Sequence, residues 1–185
     1  MTTEQFWTII ESSRSQIDPN LLNGNKERQA QLLEKLLRTL NPRELEDYER
    51  LFNEFFFKSY TWEIWAAVYL IEGGCSDDGF DYFRSWLISM GEEVFEAVIS
   101  SADNLAHFAY LPEVGAISFP EIISLAALVY EEKTGNSIPE SCYEPGRPSE
   151  PSGTPWDENN LSELKPRLPK VWERCRESWP SGDLD

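Results

Sequence analysis

Four charged side chains within a short segment are the first candidates for chemistry in this sequence. Asp77, Asp78 and Asp81 form the pattern DDxxD, and Arg84 follows three residues after the last of them. On a helix, side chains three or four residues apart lie on one face, so these carboxylates can share a hard cation or receive the guanidinium. The segment therefore predicts either an ion-pair network or a pocket for a cation.

A helix start explains the first two acids without any ligand. Ser76 is a good N-cap residue, so Asp77 and Asp78 fall in the first turn that follows it. An acid there meets the partial positive charge of the helix start, which stabilises it by ~0.3–1 kcal/mol. The segment can thus be a structural cap as well as a site.

Arg84 needs carboxylate partners if it is buried. It is the single basic residue between positions 59 and 132. Asp81 lies one helical turn before Arg84, and Asp77 can also reach the same guanidinium. Glu63, in the preceding helix, is a third possible partner. We therefore expect an arginine–carboxylate network that fixes the angle between two helices.

Aromatic residues close to the acidic turn suggest a second type of pocket. Trp62, Trp65 and Trp86 flank the turn in sequence, and aromatic rings beside carboxylates can bind a cationic group. We expect at least two of the three rings to lie in the core. Trp62, in the first turn of its helix, is expected to be the most exposed.

Cys75 is the only nucleophile candidate at the same turn. A helix start stabilises a thiolate, but the acids that follow oppose its formation, and the single histidine, His107, is distant in sequence. We interpret Cys75 as a packed small residue. The three cysteines form no CxxC pair, so neither zinc nor a disulfide framework is expected, and a cytoplasmic location fits best.

The DDxxD spacing also resembles the magnesium–diphosphate motif of prenyl transferases and terpene synthases. Those folds need a much longer chain, and this sequence has no second acid-rich motif. We therefore expect no cofactor and no metal, with Asp77, Asp78 and Asp81 as the weak metal candidates.

The net charge of −17 is concentrated around the acidic turn. Residues 60–118 carry ten acids and one base. Such a field repels nucleic-acid phosphates and anionic membranes and attracts basic proteins or peptides. The longest apolar run, residues 64–71, is also far shorter than the ~20 residues that span a bilayer. We expect a basic partner, no nucleic acid and no membrane.

Periodicity and capping signals predict an all-α fold, a compact mixed or orthogonal bundle of about six or seven helices with a Pro-rich C-terminal extension. The predicted helices cover residues 4–14, 26–40, 42–59, 61–72, 77–90, 92–100 and 119–133. Residues 1–138 form the predicted helical domain. Residues 139–185 form a Pro-rich, acidic tail, either wrapped or flexible, with a short terminal helix at 170–179.

The run GGCSDDGFDYFR at residues 73–84 resembles the bacterial domain-of-unknown-function 4240 family. Phe6-Trp7, residues 62–65 and Thr134-Gly135 extend the resemblance to about residues 1–135. The resemblance implies a small cytoplasmic bacterial domain, and it carries no known activity.

Two principal hypotheses follow for function. The leading one is a non-enzymatic interaction or regulatory module that engages a basic protein through residues 60–118. The alternative is a ligand-binding, cation-binding or enzymatic domain that uses Trp62, Glu63, Cys75, Asp77, Asp78, Asp81 and Arg84. A third hypothesis, a mimic of nucleic-acid charge, requires regularly spaced surface acids. The sequence carries no signal of oligomeric state.

Overall fold

Helices form the regular secondary structure of this chain. A computed structural model describes residues 1–14, 25–107, 117–144, 146 and 148–176. The α-helices in these ranges are α1 (Thr3–Arg14), α2 (Asn25–Leu37), α3 (Pro42–Lys58), α4 (Trp62–Glu72), α5 (Asp77–Ser89), α6 (Glu92–Ser100), α7 (Leu125–Thr134), α8 (Leu164–Arg167) and α9 (Pro169–Cys175). Short 3-10 helices cover Ala102–His107, Pro120–Ile122, Glu140–Tyr143 and Leu161–Glu163. The predicted all-α class is confirmed, with more helices than the six or seven expected.

Local signals set the boundaries of α3 and α4 within one residue of the predicted positions, whereas α2, predicted to extend to Leu40, ends at Leu37. The Asn41 side chain accepts the Glu44 amide at 3.1 Å, and the Glu44 carboxylate accepts the Asn41 amide at 2.8 Å. Pro42 occupies the first position of α3, where its missing N–H costs nothing. Thr61 caps α4, and Gly73 ends it with a φ of 71°, a left-handed conformation that glycine adopts without a steric penalty.

One predicted helix is interrupted near its start. The segment predicted as a single helix over 119–133 begins with non-helical backbone at Phe119, continues as a 3-10 turn, and becomes α7 only afterwards. The Phe119 amide donates to the Tyr82 carbonyl at 3.0 Å, and the Phe119 carbonyl accepts the Ser85 hydroxyl at 2.7 Å. These bonds to α5 fix the path of the chain before a helix can begin.

The core is built around the apolar face of α3. The large apolar residues of this face are all buried, and they are Leu45, Tyr48, Leu51, Phe52, Phe55 and Phe56. Phe55 packs on Trp7 of α1 and Phe95 of α6, with ring centroids 4.6 and 5.3 Å apart. No helix of the described residues combines the length and the apolar character of a membrane span.

The C-terminal extension lies against the start of α4. The Trp62 amide donates to the Ser152 carbonyl at 2.9 Å, and the Ser152 amide donates to the Tyr60 carbonyl at 3.0 Å. Thr61 and Ser152 thereby form an isolated parallel bridge. These bonds bring residues 154–158 beside α4.

Helix α9 forms the second attachment of the extension. Its Val171, Trp172 and Cys175 are buried. The carboxylate of Asp103 accepts the Lys170 and Val171 amides at 2.9 Å each, so a distant residue satisfies the first amides of this helix. The sequence predicted this helix at 170–179; α9 ends at Cys175, and residues 177–179 lie outside the described ranges.

Glu49 is a buried carboxyl in α3, with 3% of its surface exposed. Burial raises its pKa from the ordinary 4.5 to about 7, although hydrogen bonds from Asn53 and Tyr143 oppose the shift. In the unfolded chain the Glu49 carboxyl loses its proton near pH 4.5, whereas in the folded chain it stays protonated until about pH 7. The contribution of Glu49 to stability is therefore lost as the pH rises between these two values.

We expect Glu49→Gln to remove this loss. The variant should match the parent near pH 4.5 and exceed its free energy of unfolding above pH 7 by on the order of 3 kcal/mol, because each pKa unit is worth ~1.36 kcal/mol. Urea unfolding across this pH range measures the difference. Glu54→Gln, an exposed change on the same helix, is the control. Parallel pH profiles for Glu49→Gln and the parent would contradict the assignment.

Candidate functional site

Arg84 is fully buried where the end of α3 meets α5. Its Nη1 donates to the Phe56 carbonyl at 2.6 Å, and its Nη2 pairs with the Asp81 carboxylate. Phe56 lies in the last turn of α3, where carbonyls lack an intrahelical partner and carry partial negative charge. The Arg84 side chain of α5 thus caps the C-terminal end of α3. The predicted pairing of Arg84 with Asp81 is confirmed.

Three aromatic faces complete the environment of this guanidinium. Its carbon lies 3.8 Å from the ring centroid of Phe56, 4.6 Å from that of Tyr60 and 5.2 Å from that of Phe80. A desolvated cation gains ~2 kcal/mol from a well-placed ring. The rings and the carboxylate together compensate for the water that Arg84 loses. Sequence analysis did not predict that these rings surround Arg84.

The expectation that Glu63 helps to hold Arg84 is wrong. Glu63 binds Arg167 of the extension, with Nη2–Oε2 and Nε–Oε2 distances of 2.7 and 3.0 Å. Arg84 is buried under α3, whereas Glu63 lies in the first turn of α4, over which the extension passes. Glu63 therefore anchors the extension.

The three aspartates of the acidic turn have different surroundings. Asp81 pairs with Arg84, whereas Asp77 and Asp78 are exposed, and neither makes a hydrogen bond or ion pair within the described residues. Ser76 caps α5 as predicted. Within the same described ranges, no three His, Cys, Asp or Glu side chains are grouped as metal ligands.

A surface cleft of about 380 Å³ lies beside this turn, between α4, the start of α5 and the extension. We call it the aromatic–acidic cleft. Its walls are four aromatic side chains and two carboxylates, with a thiol and a hydroxyl between them: Trp62, Trp65, Tyr69, Trp156, Asp77, Glu158, Cys75 and Ser76. Of the candidate site residues, the structure brings together Trp62, Cys75 and Asp77.

Stacked rings from α4 form one wall of the cleft. Trp62 and Trp65 stack with centroids 5.5 Å apart and an interplanar angle of 7°. Trp65 stacks in turn on Phe80 at 4.9 Å and 15°, and its Nε1 donates to the Cys75 carbonyl at 3.1 Å. Packing and hydrogen bonding therefore fix the orientation of this wall.

The extension supplies the opposite wall. Trp156 packs edge-on against Tyr69, with centroids 4.6 Å apart, and the Tyr69 hydroxyl lies 3.5 Å from the Glu158 carboxylate. The Trp156 Nε1 has no hydrogen-bond acceptor in the part of the chain that the structure describes. Arg167 donates to the carbonyls of Thr154 and Pro155, so it holds the backbone just before Trp156.

The thiol at the cleft is protonated at neutral pH. Burial and the nearby Glu72 carboxylate raise the pKa of Cys75 to about 12, which leaves almost no thiolate for nucleophilic attack. Burial, reinforced by Glu158, also raises the pKa of Tyr69, so its hydroxyl remains a donor. Cys75 is half-buried, in accord with its interpretation as a packed residue.

Trp86 and His107, which the sequence analysis also considered, lie away from the cleft. Trp86 is buried in the core, whereas Trp62 and Trp65 are only half-buried. The expectation that at least two of these three rings are core residues is therefore wrong, because the other two form the wall of an open cleft. His107 is exposed, with its Nε2 3.2 Å from the Lys170 Nζ.

Sequence reasoning missed Tyr69, Trp156 and Glu158 as cleft residues. One signal could have identified Trp156, since it is the only aromatic residue between Tyr143 and Trp172. A single large ring in a polar, Pro-rich segment indicates docking. No comparable signal marks Tyr69, which belongs to an almost wholly apolar helix.

The fold and the cleft define a small all-α domain with a surface site that suits binding. The chain belongs to the family described as protein of unknown function (DUF4240), whose model matches residues 1–132. The matched region contains α4, the acidic turn and Arg84, but not Trp156, Glu158 or Arg167. No curated protein and no solved structure matches the chain.

Removal of the buried guanidinium should destabilise the domain strongly. We expect Arg84→Met to lower the free energy of unfolding by about 3–5 kcal/mol, the usual effect of breaking a buried ion pair from one side. Asp81→Asn should act in the same direction, because it leaves a buried charge without its counterion. Urea unfolding measures both changes.

Asp78→Asn is the matched control for this prediction, since it removes an exposed, unpaired carboxylate one helical turn before Asp81. It should lower the stability by no more than about 1 kcal/mol, the contribution of an acid in the first turn of a helix. An Arg84→Met protein as stable as Asp78→Asn would contradict the role given to the guanidinium.

Proposed function

We propose that this domain is a non-enzymatic protein-interaction module that binds a basic segment of a partner protein. A cationic side chain of that segment enters the aromatic–acidic cleft, while the rest contacts the acidic surface around it. The observation that carries the proposal is the cleft itself, in which four rings and two carboxylates face one space. This composition favours a cation over an anion or a neutral polar ligand.

The charge distribution supports a basic partner. Residues 60–118 carry ten acids against one base, and that base is enclosed by Asp81, Phe56 and two further rings. The surrounding surface therefore attracts positive charge over distances of about a Debye length, ~8 Å at physiological salt. Such a field accelerates the encounter with a basic segment.

The chemistry of the cleft supports binding over catalysis. Its thiol has a pKa of about 12, and His107 contacts Lys170 of α9, which is not part of the lining. General acid–base or nucleophilic chemistry needs a group whose pKa lies near the working pH. The free thiols of Cys75, Cys142 and Cys175 are compatible with the reducing cytoplasm that we propose as its location.

A short lysine-rich peptide should bind the full chain, whereas the same peptide with glutamate in place of lysine should not. Trp62, Trp65 and Trp156 line the cleft, so intrinsic tryptophan fluorescence reports binding. Asp77→Asn should weaken the affinity about threefold to fivefold, because an exposed ion pair is worth up to ~1 kcal/mol. Added salt should weaken it further.

Asp78→Asn is again the matched control, because it removes the same charge from the adjacent position, outside the cleft. It should lower the affinity for the peptide less than twofold, because it only reduces the overall negative charge of the surface. Equal losses for Asp77→Asn and Asp78→Asn would show that the acidic surface, and not the cleft, binds the peptide. Failure of the peptide to bind at all would refute the proposed function.

Loss of the Arg167 anchor should weaken peptide binding from a distance. Arg167→Gln removes the bonds to Glu63 and to the backbone before Trp156, so this indole should become more accessible to acrylamide quenching. The free energy of unfolding should fall by only ~1–2 kcal/mol, because the ion pair is partly exposed. Arg176→Gln, which breaks the exposed pair with Glu173, should change neither property. Unaltered quenching in Arg167→Gln would contradict the anchoring role.

A further inference from the structure

We infer that the aromatic–acidic cleft selects a methylated ammonium group, carried by a methylated lysine side chain of the partner protein. This inference rests on the proposed function and specifies its ligand. It follows from the size of the cleft, from the aromatic rings and carboxylates that line it, and from its exposure to solvent.

The size of the cleft suits one side-chain head group. Its volume of about 380 Å³ is near the lower end of the ~300–1,000 Å³ typical of ligand pockets. A trimethylammonium group with part of its alkyl stem fits without enlargement of the cleft.

The aromatic rings that form much of the lining offer no hydrogen-bond acceptor to the N–H groups of an unmodified lysine. The Cys75 carbonyl already accepts Trp65 Nε1 at 3.1 Å, and the Ser76 hydroxyl accepts the Gly79 amide at 3.2 Å. The remaining acceptors on the lining side chains are chiefly the carboxylates of Asp77 and Glu158. A lysine ammonium has three donors and is strongly hydrated, so it loses much of its solvation on such a surface.

A methylated ammonium matches the same surface better. Trimethylation removes all N–H donors, so no hydrogen bond is lost on leaving water. The methyl groups contact the rings of Trp62 and Trp156, and the carboxylates of Asp77 and Glu158 supply the opposite charge. Aromatic rings recognise quaternary ammonium ions in this manner, with tryptophan as the best ring.

The open form of the cleft favours a side chain over a free small molecule. Asp77 and Glu158 are exposed, and each of the four aromatic side chains is only half-buried. Such a cleft covers one end of its ligand and leaves the other in water, where a polypeptide can continue over the acidic surface. A free betaine also carries a carboxylate, which the two acids of the cleft repel.

The test compares peptides that differ at one residue. The full chain is titrated with one short peptide carrying trimethyllysine, lysine, arginine or the uncharged isostere in which a tert-butyl group replaces the trimethylammonium. The trimethyllysine peptide should bind about tenfold more tightly than the isostere and severalfold more tightly than the lysine peptide. Choline should bind more weakly than the peptide, and glycine betaine more weakly still.

Two ring variants test where the selectivity arises. Trp62→Leu and Trp156→Leu keep apolar bulk but remove a ring face, so each should abolish most of the preference for trimethyllysine over the isostere. Tyr82→Leu removes an exposed ring of α5 outside the cleft and should leave the preference intact. Circular dichroism establishes that each variant is folded.

The outcomes separate this inference from the proposed function. Equal or tighter binding of the lysine or arginine peptide, still sensitive to Asp77→Asn, would overturn methyl selectivity and leave the interaction module standing. Equal binding of the isostere would overturn recognition of the charge. If choline binds as tightly as the trimethyllysine peptide, the inference that a protein side chain carries the methylated ammonium group is wrong. No binding by any peptide would refute the proposed function itself.

Discussion

A permanently charged guanidinium without solvent contact determines the geometry at the centre of this domain. Arg84 cannot release its proton, so its burial requires compensation by fixed groups. The compensation comes from the Asp81 carboxylate, the Phe56 carbonyl and three ring faces. These groups belong to α3, to the link before α4 and to α5. Their contacts with one rigid guanidinium hold α3, the link before α4 and α5 in a single relative orientation.

The same arrangement supports the cleft. Phe80 packs against the guanidinium and also stacks on Trp65. The aromatic wall of the cleft is therefore in contact, through Phe80, with the residues that surround Arg84. Because Asp81 is bound to Arg84, Asp77 remains the carboxylate of α5 that faces the cleft. A structural network and a binding surface therefore share one short acidic motif, with different aspartates serving each.

The sequence contained the information that acts over one helical turn. Caps such as Asn41 with Glu44, the glycine stop at Gly73 and the Asp81–Arg84 pair all depend on groups three or four residues apart, whose proximity follows from helix geometry. The cleft depends on contacts across a much longer stretch of chain, such as Glu63 with Arg167 and Tyr69 with Trp156. Local periodicity does not encode these contacts, because it relates only residues a few positions apart in the chain.

The central claim is that Arg84 is immobile and enclosed by rings, and NMR of its side-chain N–H groups tests it most directly. Comparison with Arg84→Lys assigns the signals. We expect separate, slowly exchanging Nη protons shifted upfield by the ring currents of Phe56, Tyr60 and Phe80. A single averaged signal that exchanges rapidly with water, at the position of an exposed arginine, would contradict the account.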